Sequence, residues 1–185
     1  VEASLPWVVE SAPGHLVFAA ALARRQPAAS DLRLVLAVIR ATSDLERIGD
    51  EASKIARNAL LLSENSGGIR GLVEVRHISE HVRKMLRDAL TAFARFDTEL
   101  AMQVVREDES VDDEYGSAMR SLMTFMMEDS RSISSVLSIM WVLRALERVG
   151  DHANNLAEYV VYLVKGLDIR HSDPDTLEQK VLKKS

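Results

Sequence analysis

Apolar residues recur along this chain at alternating steps of three and four, and no stretch alternates strictly between apolar and polar. The first such series runs Leu34, Val38, Ala41, Leu45, Ile48, Ala52, Ile55, Ala59 and Leu62. That spacing keeps one stripe of a helix apolar and predicts a helix packed along a single seam. Pro27, Ser30 and Asp31 supply its start and "SENSGG", Ser63 to Gly68, its stop, giving a helix of roughly 35 residues and about 50 Å. Past a Gly67-Gly68 linker, "LVEVRHISEHVRKMLRDALTAFARF" predicts a second helix, and a third runs from about Glu99 to Met127. The turn "EDSR" then leads into a fourth, from about Ser132 to Lys165. The expected class is all-α.

The fourth helix repeats the first. "DLERIGDEASKIA", Asp44 to Ala56, returns as "ALERVGDHANNLA", Ala145 to Ala157, at an offset of 145 − 44 = 101 residues. Its seam, Ile139, Val142, Leu146, Val149, Ala153, Leu156, Val160 and Leu163, has the same three-four stepping. Both copies carry a glycine in mid-helix, Gly49 and Gly150, where glycine costs about 1 kcal/mol relative to alanine. Close approach of a neighbouring helix or ligand would account for it. A repeat of this length implies two tandem, pseudo-symmetric three-helix bundles. The first, over 1–66, is incomplete, because its opening segment is short, irregular and broken by Pro6 and Pro13. The second, over 69–167, is complete, and a polar tail follows over 168–185.

Charge and composition exclude several classes. With 185 residues and a net charge of −5, the chain lacks the basic balance of a nucleic-acid binder. It has no cysteine, which removes disulfides, thiolate catalysis and sulfur-ligated metal sites. The longest apolar runs fall short of the ~20 residues that a membrane span needs, so no membrane insertion is expected. A serine hydrolase finds no strand and nucleophile elbow here. One E-x-x-H, Glu74 to His77, is half of what a ferritin-like di-iron bundle uses.

The chemistry that remains is carboxylate. Glu46 and Asp50 lie one helical turn apart, on the side away from the first seam, and Glu147 and Asp151 repeat the pair, followed one turn later by Asn155. Asp108 and Asp112 form a third pair, with Asp108 where the seam calls for an apolar residue. Like charges at i and i+4 repel. Oxygen-only ligand sets of this kind suit a hard metal ion. The plainer alternative is a helical scaffold with solvated acidic faces, the acids balanced by Arg47 and Arg148. His152 is expected on the surface.

The two glycine-bearing stretches, with "ARRQPAASDLR" before the first, resemble the paired signature helices of the PhoU family of phosphate-uptake regulators. The resemblance spans roughly Arg24 to His171 and implies two three-helix bundles with metal bound through E/D-x-x-x-D pairs. Carried over, the ligands are Glu46 and Asp50 in the first repeat, and Asp108, Asp112, Glu147, Asp151 and Asn155 in the second. The implied cofactor is a divalent or trivalent ion: iron, zinc, manganese or magnesium. Also implied is a cytoplasmic homodimer, not an enzyme, that links the phosphate ABC transporter to a sensor histidine kinase and restrains the phosphate-starvation response. Two departures weaken the first site. Lys54 stands where the second copy has Asn155, and Trp7 and Ser11 stand where it has Asp108 and Asp112.

Overall fold

The computed structural model describes residues 29–64, 70–167 and 169. The opening segment, the Gly67-Gly68 linker and the expected tail apart from Ile169 lie outside them. Among the described residues the regular structure is helical: α1 (Ala29–Ser63), α2 (Leu72–Arg95), α3 (Thr98–Glu128), a 3-10 turn (Ser130–Ser132) and α4 (Ile133–Lys165). The ends follow local chemistry. Asp97 caps α3 by accepting from the backbone N–H groups of Glu99 and Leu100 at 3.1 and 3.0 Å. Gly71 precedes α2 at φ 93° with Leu122 and Ile139 pressed where a Cβ would stand, so only glycine fits.

α4 is the axis of the molecule. It packs against α2 and α3 on one side and against α1 on the other. The expected seam of α4 is buried from Ile139 to Val160, and Leu143, Ala145, Ala157 and Val161 on its other flanks are buried as well. A helix covered from two sides must be apolar around most of its circumference. Against it α2 sets Ile78, Val82, Met85, Ala89 and Ala92, and α3 sets Val104, Val111, Ala118 and Leu122. The alanines let the helix axes come close.

α1 departs from its expected seam. Leu34 and Leu45 are 41 % and 43 % exposed, and Ala52 and Ala59 are exposed too. The stripe turned to α4 is instead Ala37, Ala41, Asp44, Ile48, Glu51, Ile55 and Leu62. Two of its members are acids, which hid it in the apolar pattern. Ala41, Ile48, Ile55 and Leu62 of the expected seam do lie on that stripe, whereas Leu34, Leu45, Ala52 and Ala59 lie on a face that no other described helix covers.

Asp44 fastens this contact. Its Oδ1 accepts from His152 Nδ1 at 2.8 Å and from Asn155 Nδ2 at 3.2 Å, and its Oδ2 accepts from the Tyr159 hydroxyl at 2.8 Å. His152 is 7 % exposed, which overturns its expected surface position. Further along α1, Glu51 pairs with Arg148 at 3.2 Å. Rising numbers on α1 thus meet falling numbers on α4, and the two helices run antiparallel. The three donors satisfy the Asp44 carboxylate, which is the condition for burying a charge at tolerable cost, while His152 Nε2 is buried with no hydrogen-bond partner. Burial, followed by the bond to Asp44, raises the Tyr159 hydroxyl pKa well above its usual range.

The mid-helix glycines are not explained by close approach. A Cβ on Gly150 would meet Val111 at 3.6 Å and Val82 at 3.8 Å, ordinary contact distances, and one on Gly49 would meet nothing within 4 Å. Gly150→Ala is therefore expected to stabilise the chain by about 0.5–1 kcal/mol. Asp44→Ala, which strands His152 and Tyr159, is expected to cost about 3 kcal/mol. Urea titrations of the two variants, read against the parent chain, check both signs.

Candidate metal centre

Three carboxylates meet on the outer side of the α3–α4 seam. Asp112 comes from α3, and Glu147 and Asp151 come from successive turns of α4. One oxygen from each lies within 4.8 Å of the others. The i, i+4 spacing on α4 sets Glu147 and Asp151 one above the other, and the packing of Val111 beside Gly150 holds Asp112 against them.

The electrostatics are those of crowded acids. Glu147 is 8 % exposed, and its Oε1 accepts from Arg144 Nη1 at 2.7 Å. Its Oε2 is buried and has no hydrogen-bond partner. Burial raises the Glu147 carboxyl pKa, with Asp151 adding to the effect. Asp151 is raised by burial and then by Asp112. One turn before Asp112, the Asp108 carboxyl is pushed up to about 6, first by burial and then by the negative charges of Asp151 and Asp112. Asn154 Nδ2 donates to Asp108 Oδ2 at 2.8 Å, which offsets part of that. Such a group asks for a proton or a cation.

A cation fits the donors present. The set is all oxygen and carries up to three negative charges, with Asp108 a fourth acid nearby, and one buried oxygen has no other partner, which suits a hard ion such as magnesium, manganese or ferric iron. Arg144 and Arg148 supply positive charge nearby, but Arg148 is turned to Glu51 at 3.2 Å.

The residues expected from sequence divide into three groups. Asp112, Glu147 and Asp151 come together, with Asp108 in their field. Glu147 does not face outward as expected but is buried, with Arg144 on its Oε1. Asn155 is drawn away to Asp44 at 3.2 Å, so the ligand role expected of it is not the one its contacts serve. Glu46 and Asp50 are exposed on α1, where they line a hollow with Arg47, Lys54 and Arg148. They belong to no cluster of three metal-ligating side chains among the described residues. Glu74-x-x-His77 does not turn inward in the di-iron manner. The His77 side chain is 71 % exposed and sits 3.3 Å from Glu114.

Sequence reasoning missed Asp44 and Glu51. The signal was available in the stepping Ala41, Asp44, Ile48, Glu51, Ile55, which places both acids on an apolar stripe.

The family model for the PhoU domain matches residues 16–59 and 75–160. The chain belongs to the PhoU family. It is 61 % identical over 150 residues to a phosphate-specific transport system accessory protein PhoU homolog of Pseudomonas putida, covering 81 % of this chain and 59 % of that protein. To the phosphate-specific transport system accessory protein PhoU of Escherichia coli K12 it is 46 % identical over 159 residues, covering 85 % and 65 %. The chain thus spans less than two thirds of these PhoU relatives. The crystal structure of PhoU from Pseudomonas aeruginosa superposes with a TM-score of 0.79 at 59 % identity, over 81 % of this chain and 72 % of that one. The phosphate transport system regulatory protein PhoU from Streptococcus pneumoniae gives 0.73 at 31 % identity, over 83 % and 72 %.

The raised Asp108 pKa sets a pH dependence with a definite sign. The folded chain holds this proton up to about pH 6, against 3.8 for the ordinary group. Stability from this group is therefore full below the ordinary value and is lost as pH rises through the folded one. Metal-free protein is expected to lose stability across that window, and Asp108→Asn to flatten the loss. Thermal melts from pH 4 to pH 7 with a chelator present read it.

Proposed function

We propose that this chain is a metal-binding regulatory adaptor of phosphate uptake and signalling. The observation that carries the metal assignment is the convergence of Asp112, Glu147 and Asp151 around the unpartnered Glu147 Oε2. Membership of the PhoU family, whose relatives are named as accessory proteins of a phosphate-specific transport system, supports the adaptor role. In this reading the protein is cytoplasmic, does no catalysis, and docks on the phosphate transporter and a sensor histidine kinase to hold the starvation response off. Among the described residues no helix is long and apolar enough to cross a membrane, so contact with the transporter is made from its surface.

The ion has a structural task in this reading. Neutralising the acids on α3 and α4 removes the repulsion between them and fixes the outer surface of the bundle. Arg144 holds Glu147 by one oxygen and leaves the other for the ion.

Two experiments test the two halves of the reading. Manganese or magnesium added to chelator-treated protein at pH 7 is expected to raise the melting temperature, by about 2.7 kcal/mol of stabilisation at a hundredfold excess over Kd. The double substitution Asp112→Asn and Glu147→Gln abolishes that gain; a gain that survives it removes the site. In cells without the gene, grown on abundant phosphate, a phosphate-starvation reporter is expected to be on. A reporter that stays off overturns the restraint.

A further inference from the structure

The pseudo-symmetry that relates α1 to α4 also relates the two ends of their contact, and the two ends differ. At one end Asp44 is enclosed by His152, Asn155 and Tyr159. Subtracting or adding 101 gives the equivalents at the other end. Ala145 replaces Asp44, and Glu51, Lys54 and Asn58 replace His152, Asn155 and Tyr159. A carboxylate has become a methyl group, and the phenol ring of Tyr159 has become the shorter amide of Asn58. The volume those side chains fill at the first end is left open at the second, as a cleft of about 500 Å³ between α1 and α4.

The lining of that cleft is cationic in a chain that is acidic overall. Lys54 and Arg57 come from α1 and Arg144 and Arg148 from α4, against one carboxylate in the wall, Glu51. Glu51 is 3 % exposed. Its Oε1 accepts from Lys54 Nζ at 2.8 Å and lies 3.2 Å from Arg148 Nε. One buried acid thus holds two cations in place and neutralises only one of them. Arg144 is fixed through Glu147 at 2.7 Å. Trp141, 65 % exposed, stands at the rim. Fixed cations around a partly enclosed space are the ordinary means of holding an oxyanion, and the exposed indole adds a flat face.

We propose that this cleft binds a phosphorylated small molecule, its phosphoryl oxygens among Lys54, Arg57 and Arg148. Inorganic phosphate and a nucleotide share that chemistry. The cleft exceeds what a lone oxyanion fills, and Trp141 offers a platform for a base. The cleft meets the carboxylate cluster through the Arg144–Glu147 pair, but the phosphoryl-binding cations Lys54, Arg57 and Arg148 lie outside the cluster, so the proposal does not rest on the metal-binding reading.

The full chain, in a phosphate-free buffer of low ionic strength, is titrated by calorimetry with inorganic phosphate and, separately, with adenosine monophosphate. Saturable binding at micromolar to millimolar concentration is expected in at least one arm. Phosphate alone assigns the site to the free oxyanion, and the nucleotide, with weaker calorimetric binding in Trp141→Phe, assigns it to a stacked base. Arg57→Glu lies outside the Glu51 ion pairs and is expected to weaken binding roughly tenfold with unchanged helical circular dichroism. Ala145→Asp restores the carboxylate of the other end and is expected to do the same. Silence in both arms, or binding that neither substitution weakens, overturns the proposal.

Discussion

A single buried carboxylate organises this molecule. Asp44 sits in the α1–α4 contact and takes hydrogen bonds from His152, Asn155 and Tyr159, residues 108, 111 and 115 positions away in the chain. Apolar contacts between two long helices tolerate sliding and rotation, because neighbouring registers bury similar area. A charged group with three fixed donors tolerates neither, since a shift of one turn leaves a buried carboxylate without partners. The register of α1 on α4 follows from it, and so do the faces that each helix has left for other neighbours. Glu51 and Arg148 make a second, polar point of contact further along.

With α1 seated, α4 has one flank committed and the rest free for α2 and α3. The carboxylate cluster stands where α3 crosses the acids of α4. Packing there is apolar below, through Val111, Val82 and Val149, and acidic above. Hydrophobic burial thus supplies the force that brings like charges together, and the raised carboxyl pKa values record the cost. An arrangement of this kind is stable when a cation or a proton stands between the acids, and strained when neither does.

Much of this was legible from the residues. The four helices, their order and the α4 seam follow from three-four stepping and end signals, because a helix that packs on others shows its buried face as a period. The acid pairs Asp108/Asp112 and Glu147/Asp151 were visible as i, i+4 spacings, and the family resemblance implied that they join at one site. What stayed hidden were contacts made by polar residues across the chain. Asp44 and Glu51 lie on the buried stripe of α1, yet a search for apolar periods skips them and selects Leu34, Leu45, Ala52 and Ala59 instead. His152 and Asn155 adjoin the acid motif, which suggests metal, but their partner lies on another helix. The identity of a partner more than a hundred residues away has no local signature.

The two glycine-marked helices share one spacing and differ in the chemistry it carries. His152 faces a carboxylate and Glu51 faces arginine and lysine, although the two occupy corresponding places. The same substitution in the two copies therefore has opposite electrostatic meaning: a positive charge placed at 51 joins a crowd of cations, and one placed at 152 meets an anion. Two helices of one spacing thus carry unlike chemistry, and each copy of the pattern answers a given charge in its own way.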